Sequence, residues 1–220
     1  MKASKTIVLF FFCWFAACSE DEWSSVDPYP YQAPFPISLN TEYLYIIDSL
    51  VYDNFKKDSF SSSKYQLEKV VDVFDSVPWK IYRLEIFQKD SMHHPWSYVR
   101  TDKMGLGSNY YTRSSNNQRI LYLRFPLLVG SRWDGNLFNS SGRRSFTLVE
   151  KGKNLSFQDS SYNFFRVERT KIINPYQNFT GAEIYLESVG LYRQEIIEKE
   201  LQFGYYDGFK LTKQLIGFKK

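Results

Sequence analysis

The fold class follows from one stretch of alternating side chains, Lys80-Ile81-Tyr82-Arg83-Leu84-Glu85-Ile86. Its apolar residues Tyr82, Leu84 and Ile86 fall on every second position, and the charged Arg83 and Glu85 lie between them. Successive side chains of a β-strand point to opposite faces of the sheet, so this period of two predicts a strand with one buried face. Strands of this kind are typical of antiparallel sheets.

Two further stretches, 65–73 and 209–215, alternate in the same way. Aromatic residues make up 19% of the chain and also favour strands. Turn residues, such as those at 114–117, separate roughly ten to twelve such runs. In the stretch 65–73 we expect four apolar side chains to share the buried face: Tyr65, Leu67, Val71 and Val73.

These patterns predict one mainly β domain over residues 35–220, folded as an antiparallel β-sandwich or a flattened barrel. Only the segment 195–201 allows a helical turn, and its apolar spacing suits a strand equally well. We therefore expect little helix.

An internal repeat is also visible in the sequence. The segment 35–43 matches 125–133: each begins Phe-Pro, continues through three mostly apolar residues to a turn residue, and ends on an aromatic. Further on, 81–85 parallels 164–168. This self-similarity predicts two related β units, 35–122 and 123–220, although chance similarity between strand–turn–strand pieces would look the same.

The N-terminus carries a different signal. Residues 7–17 form an apolar run of 11 residues, with Lys2 and Lys5 before it and acidic residues after it. A membrane-spanning helix needs about 20 apolar residues, so the run predicts a signal peptide over residues 1–17. An uncleaved anchor or a buried N-terminal helix is the alternative. Residues 18–34, rich in acidic residues and proline, are predicted to be an extended tether.

The junction Phe15-Ala16-Ala17-Cys18 resembles the lipobox of bacterial lipoproteins, the acidic flank 19–22 resembles their surface-export signal, and the segment 125–133 is similar to one in uncharacterised outer-membrane lipoproteins of the Bacteroidota. The resemblance implies that Cys18 carries lipid. It also implies an outer-membrane location, surface-exposed or, alternatively, facing the periplasm. It implies no activity and no catalytic residue.

The cysteine and charge counts exclude several classes of function. Cys13 and Cys18 are the two cysteines of the chain. Loss of the signal and lipidation of Cys18 would leave no thiol for disulfides, zinc–thiolate sites or nucleophilic catalysis. Removal of Lys2 and Lys5 lowers the formal net charge from +4 to +2. We therefore expect no nucleic-acid partner.

Few residues are placed for chemistry. The two histidines, His93 and His94, are adjacent, so they point apart on an extended chain and predict an exposed loop instead of a metal site. No cofactor or metal is expected. Several glutamates, including Glu183 and Glu187, lie within or beside strands. A pair such as Glu85 and Glu168 would allow glycoside hydrolysis, although an alternating glutamate more often lies on the solvent face.

Three tryptophans, Trp79, Trp96 and Trp133, are candidate ligand-binding residues because aromatic faces stack on sugars. The alternative, which we favour, is packing in the core and sheet.

Three Asp-Ser-apolar tripeptides resemble the O-glycosylation acceptor of exported Bacteroidota proteins, at Ser49, Ser76 and Ser91. Ordinary turn chemistry gives the same pattern.

The sequence therefore favours a lipid-anchored envelope lipoprotein with a non-catalytic binding or scaffolding role. Its expected partners are membrane lipid, through Cys18, and an unidentified envelope protein or glycan. A carbohydrate-binding surface module is the alternative, and a carboxylate-dependent hydrolase is the third hypothesis.

Overall fold

The computed structural model describes residues 37–170 and 172–220, and every regular element in it is a β-strand. The predicted signal peptide, Cys18 and the tether lie outside the described residues. Among those residues no helix is long and apolar enough to cross a membrane. The strands are β1 (Glu42–Asp53), β2 (Asp58–Ser76), β3 (Trp79–Lys89), β4 (Ser97–Gly107), β5 (Tyr110–Ser115), β6 (Gln118–Arg124), β7 (Arg132–Asp134), β8 (Ser145–Phe157), β9 (Ser160–Arg169), β10 (Ile172–Ile173), β11 (Gln177–Leu186), β12 (Gly190–Gln202) and β13 (Tyr205–Lys219).

All the strands belong to one antiparallel sheet, in the order β6-β5-β4-β3-β2-β1-β13-β12-β11-β9-β8-β7, with β10 paired to β11. The first half of the chain is thus a meander from β1 to β6, and the second half is a meander from β7 to β13. Along one seam β1 pairs with β13 over most of its length, from Glu42 opposite Lys219 to Tyr52 opposite Gly208.

The two ends of the sheet also meet. The Leu121 amide of β6 donates a 2.8 Å hydrogen bond to the Gly135 carbonyl oxygen, directly after β7. The indole Nε1 of Trp133 donates to the Leu121 carbonyl oxygen at 3.2 Å. The sheet therefore closes almost completely into a barrel-like structure, which confirms the predicted mainly β, antiparallel fold. The segment 195–201 lies in β12 and is strand.

The stretch that decides the fold class behaves as predicted. Tyr82, Leu84 and Ile86 of β3 are buried, and Arg83 is exposed on the other face. They contribute to a continuous apolar core inside the barrel, which also includes residues of the second half such as Phe165 and Leu215.

The prediction for β2 was wrong for its first part. Gln66 and Glu68 are 3% and 1% exposed and face the interior together with Val70, while Tyr65 and Leu67 lie on the outer face. A β-bulge between Val70 and Asp72 then reverses the alternation. Val73 beyond the bulge packs against the core, as predicted.

The two segments of the predicted repeat make the same local turn. Asn40 and Gly130 both have a positive φ, 66° and 88°. The Asn40 amide donates to the Val70 carbonyl oxygen at 2.9 Å, and the Gly130 amide donates to the Leu148 carbonyl oxygen at 2.7 Å. The reciprocal bonds are also present: the Val70 amide donates to the Thr41 carbonyl oxygen at 2.9 Å, and the Leu148 amide donates to the Ser131 carbonyl oxygen at 3.1 Å. The common origin of the two halves stays a prediction.

Candidate ligand-binding cavity

Polar side chains on the inner face of the barrel surround a cavity of about 440 Å³. Its walls come from β1 to β6 and from β11 to β13, and its entrance includes the exposed turn between β5 and β6. Its lining residues include five side-chain amides, three tyrosines and four charged groups. They are Gln66, Gln88, Asn116, Gln118, Gln194, Tyr111, Tyr122, Tyr185, Arg100, Asp102, Arg113 and Lys213, with Ser115 and the apolar Ile47, Ile120, Leu191 and Leu211.

Arg113 holds two buried carboxylates in the wall of this cavity. Its Nη1 donates to Glu68 Oε2 at 2.8 Å, and its Nη2 donates to Asp102 Oδ2 at 2.9 Å. Arg100 Nε donates to the other oxygen, Asp102 Oδ1, at 2.9 Å. Glu68 and Asp102 are each 1% exposed, so their charges depend on these partners.

Lys213 completes the network from the opposite strand of the seam. Its Nζ donates to Glu68 Oε1 and lies 4.0 Å from the centre of the Tyr45 ring. Gln66 Nε2 donates to the same glutamate oxygen at 2.7 Å, and Gln88 Nε2 donates to Gln66 Oε1 at 2.8 Å. Hydrogen bonds therefore connect β2, β3, β4, β5 and β13 across the cavity wall.

The network fixes the protonation of its acids. Burial alone raises the pKa of Glu68, but Arg113 and Lys213 outweigh it and hold the pKa well below its usual range. For Asp102 the same competition, between burial and Arg113, also ends with a lowered pKa. Burial lowers the pKa of Lys213 to about 8, against the attraction of Glu68 and with the repulsion of Arg113.

A third buried acid, Glu183 of β11, lies next to the cavity. Arg169 Nη2 donates to its Oε1 at 2.7 Å, and Gln194 Nε2 donates to the same oxygen at 2.9 Å. The Tyr185 hydroxyl donates to Oε2 at 2.7 Å, and burial followed by the charge of Glu183 raises the pKa of this tyrosine. Gln194 and Tyr185 line the cavity directly, so Glu183 orients two of its hydrogen-bonding groups.

This arrangement suits binding better than proton transfer. A glycosidase needs one carboxylic acid with a raised pKa opposite a carboxylate. Here one arginine bridges Glu68 and Asp102, and both acids have lowered pKa values. Within residues 37–170 and 172–220, no group of three or more His, Cys, Asp or Glu is arranged to hold a metal ion.

The structure does not bring the three predicted tryptophans together. Trp133 is 5% exposed and stacks on Phe146 inside the core. Trp79 begins β3, packs edge-on against Phe138 and is paired with Gly107, the last residue of β4. Trp96, 37% exposed, directly precedes the first residue of β4. At about 3.3 Å per residue, the length of β4 keeps Trp79 and Trp96 roughly 30 Å apart. They form no common sugar platform, and Trp133 packs as the favoured alternative predicts.

The glutamate pair of the hydrolase hypothesis is also separated. Glu85 lies on β3 and Glu168 on β9, six strands apart in the order of the sheet, and both alternate with buried core residues and so face outward. The interpretation of Glu183 as a solvent-face residue was wrong, because it is 1% exposed. Arg169, Gln194 and Tyr185 compensate its burial, and they come from three different strands.

The remaining predicted residues lie at the surface. His93 and His94 are exposed in the turn after β3, as predicted. Ser76 is exposed at the end of β2, and Ser91 is half-buried in the bend after β3. Ser49 lies in the middle of β1, where its Oγ is 2.8 Å from Ser62 Oγ.

The residues that build the cavity wall were missed at the sequence level, although one signal for them exists. Lys213 lies between Leu211 and Leu215, in the alternating apolar positions of 209–215. A charged residue at a position whose neighbours two residues away are buried indicates an internal ion pair. No such signal identifies Arg113 as the shared partner.

Comparisons with known proteins give no assignment. No family model matches this sequence, and no curated protein is significantly similar to it. Two solved structures are similar: a Bacteroides fragilis protein described as exported and YmcC-like in fold (TM-score 0.48, 11% identity, covering 84% of this chain and 98% of that chain) and a Parabacteroides distasonis protein described as a lipoprotein (TM-score 0.47, 10% identity, 84% and 98%).

Proposed function

We propose that this protein is a lipid-anchored lipoprotein of the outer membrane whose β domain binds a small saccharide in the interior cavity, without catalysis. The anchor is the lipid on Cys18, and the tether 18–34 carries the domain at the cell surface. The observation that supports binding is the lining of the cavity, in which five amides and three tyrosines surround a fixed network of ion pairs.

The lining matches the chemistry of sugar hydroxyls. Each hydroxyl both donates and accepts a hydrogen bond, and a side-chain amide offers both functions in one group. Because Arg113, Arg100 and Lys213 pair with Glu68 and Asp102, the wall presents directed hydrogen bonds and no unpaired carboxylate. The volume of about 440 Å³ lies within the range of small-molecule sites.

A glycan array tests the ligand. We expect saturable binding of the purified protein to a subset of glycans, reduced by Gln118→Ala at the entrance and by Gln88→Ala in the wall. Lys103→Ala is the matched control, because Lys103 is exposed on the outer face of the strand that carries Asp102. Binding that is absent, or that falls equally in the control, would contradict saccharide recognition in this cavity. Release of shortened glycans would contradict the non-catalytic role.

The anchor has its own test. In the native host, Cys18→Ser is expected to move the protein from the detergent phase to the aqueous phase. Protease treatment of intact cells then distinguishes the two leaflets, since a surface-exposed domain is digested and a periplasm-facing one is protected. If Cys18→Ser still partitions into detergent at the same size, the lipoprotein hypothesis is wrong.

A further inference from the structure

A second cavity, of about 550 Å³, lies beside the loop that follows β7. We name it the arginine cavity, because three arginines line it together with residues that carry hydroxyl and amide side chains. Its lining residues are Arg143, Arg144, Arg169, Asn136, Ser141, Gly142, Ser145, Thr170, Thr180, Ile172, Phe179 and Glu198. The first cavity shares none of these residues.

The loop that presents two of the arginines is held in place by Asp134. Its Oδ1 accepts hydrogen bonds from the backbone amides of Asn136 at 3.0 Å and Arg144 at 2.9 Å. The side chain of Asn136, 8% exposed, donates to the Gly142 carbonyl oxygen at 2.5 Å. Arg143 and Arg144 therefore project from a pre-formed loop, which lowers the entropic cost of binding between them.

The cavity carries more positive charge than its own acids compensate. No ion pair among the described residues involves Arg143 or Arg144. Arg169 pairs with Glu183 through Nη2, and its buried Nε has no hydrogen-bond partner. Arg169 is 9% exposed, so this donor is withdrawn from bulk water. Among the residues that the structure describes, Glu198 is the one carboxylate that lines the cavity.

We propose that the arginine cavity binds the anionic group of an acidic saccharide, either a carboxylate or a phosphate. The planar guanidinium matches both groups with paired hydrogen bonds. The hydroxyls of Ser141 and Ser145 add polar partners for a sugar. Phe179, together with Ile172 at 44% exposure, offers an apolar wall against which a ring can pack.

Calorimetric titration of the purified protein with D-glucuronate, glucose 6-phosphate and glucose tests this site. We expect one or both anionic probes to bind more tightly than glucose, and the stronger of the two identifies the group recognised. Arg143→Ala combined with Arg144→Ala is expected to weaken that binding at least about tenfold, since a charge-assisted hydrogen bond corresponds to a factor of this size or more. Arg143 is exposed and Arg144 half-buried, so the double variant is expected to keep the fold.

Two controls make the result decisive. Arg132→Ala removes an exposed arginine close in sequence that does not line the cavity, and it should leave the affinity unchanged. Gln118→Ala in the first cavity should also leave it unchanged, which separates this site from the proposed saccharide cavity. The proposal is overturned if neither anion binds better than glucose, or if Arg132→Ala weakens binding as much as the double variant.

Discussion

Glu68 in the first half of the sheet occupies the position that Phe146 occupies in the second half. Glu68 is paired with Tyr43 across β1 and β2, and Phe146 is paired with Trp133 across β7 and β8. Glu68 lies two residues before Val70, which bonds the turn before β1. Phe146 likewise lies two residues before Leu148, which bonds the turn before β7. The first half therefore places an ion-pair network where the second half has a stacked aromatic pair, and the cavity is built around that network.

Removal of the Glu68 charge should destabilise the fold strongly. Glu68→Gln leaves Lys213 and Arg113 buried with one carboxylate fewer, and breaking a buried pair in this way costs about 3–5 kcal/mol. Urea denaturation of the variant and the wild-type protein measures the loss. The double variant Glu68→Leu with Lys213→Met removes both charges and should recover most of the stability. If Glu68→Gln were as stable as the wild-type protein, the buried ion pairs of Glu68 would not stabilise the fold.

Stability should fall in acid because of the same residue. The pKa of Glu68 is lowered in the folded protein, so its contribution is complete above the ordinary carboxyl pKa of about 4 and is lost as the pH falls below it. Asp102 adds to the loss in the same direction. Glu68→Gln should show a shallower decline of unfolding free energy between about pH 4.5 and 2 than wild type does. Equal slopes would argue against the lowered pKa.

Lys213 should also make the unfolding free energy rise with pH, but in mild alkali. Its pKa is lowered to about 8 in the folded protein, so above that pH the native state loses a proton that the unfolded chain retains up to about pH 10.4. Within this window the unfolding free energy of wild type should rise relative to that of Lys213→Met. The comparison cancels the titration of the tyrosines, which both proteins share. A constant difference across pH 8–10 would show that Lys213 has an ordinary pKa.

The sequence predicted the fold well because its strongest signal, alternation in β3, reflects simple burial on one face. The prediction failed in β2 because there the buried face carries Gln66 and Glu68. An alternating pattern alone assigns the apolar residues to the buried face and the polar residues to solvent. The bulge after Val70 then reverses which residues of β2 face the interior, and no local sequence pattern predicts a bulge there. The candidate site depended on residues far apart in sequence, such as Glu68 and Lys213, whose proximity follows from the pairing of β1 with both β2 and β13.

The three tryptophans should differ in their contributions to stability. Trp133→Ala removes a buried ring that stacks on Phe146 and donates to the Leu121 carbonyl oxygen, and we expect a loss of about 3–5 kcal/mol. Trp96→Ala, at a position 37% exposed where Lys89 Nζ lies 4.5 Å from the ring centre, should cost only about 1 kcal/mol. Chemical denaturation followed by circular dichroism measures both. Equal losses would contradict the different burial of the two rings.

Glycosylation, if the host modifies Asp-Ser motifs, should favour two of the three candidate serines. Ser76 and Ser91 lie at turns, whereas the Ser49 hydroxyl contacts Ser62 within a paired strand. Site mapping by mass spectrometry of protein from the native host should therefore find glycan on Ser76 or Ser91 and none on Ser49. Alanine variants at the first two positions should remove the added mass. Glycan found on Ser49 alone would contradict this expectation.

The unequal seams of the barrel also have a dynamic consequence. The seam between β1 and β13 is a long hydrogen-bonded ladder, whereas β6 meets the end of β7 through the Leu121 amide and the Trp133 indole. Regions with fewer shared backbone bonds open at lower free energy. Amide hydrogen exchange at Leu121 should accordingly run ahead of exchange along β1. We therefore expect local opening to begin at the contact between β6 and β7 while β1 and β13 stay paired, which would give a solute a second route to the interior without global unfolding.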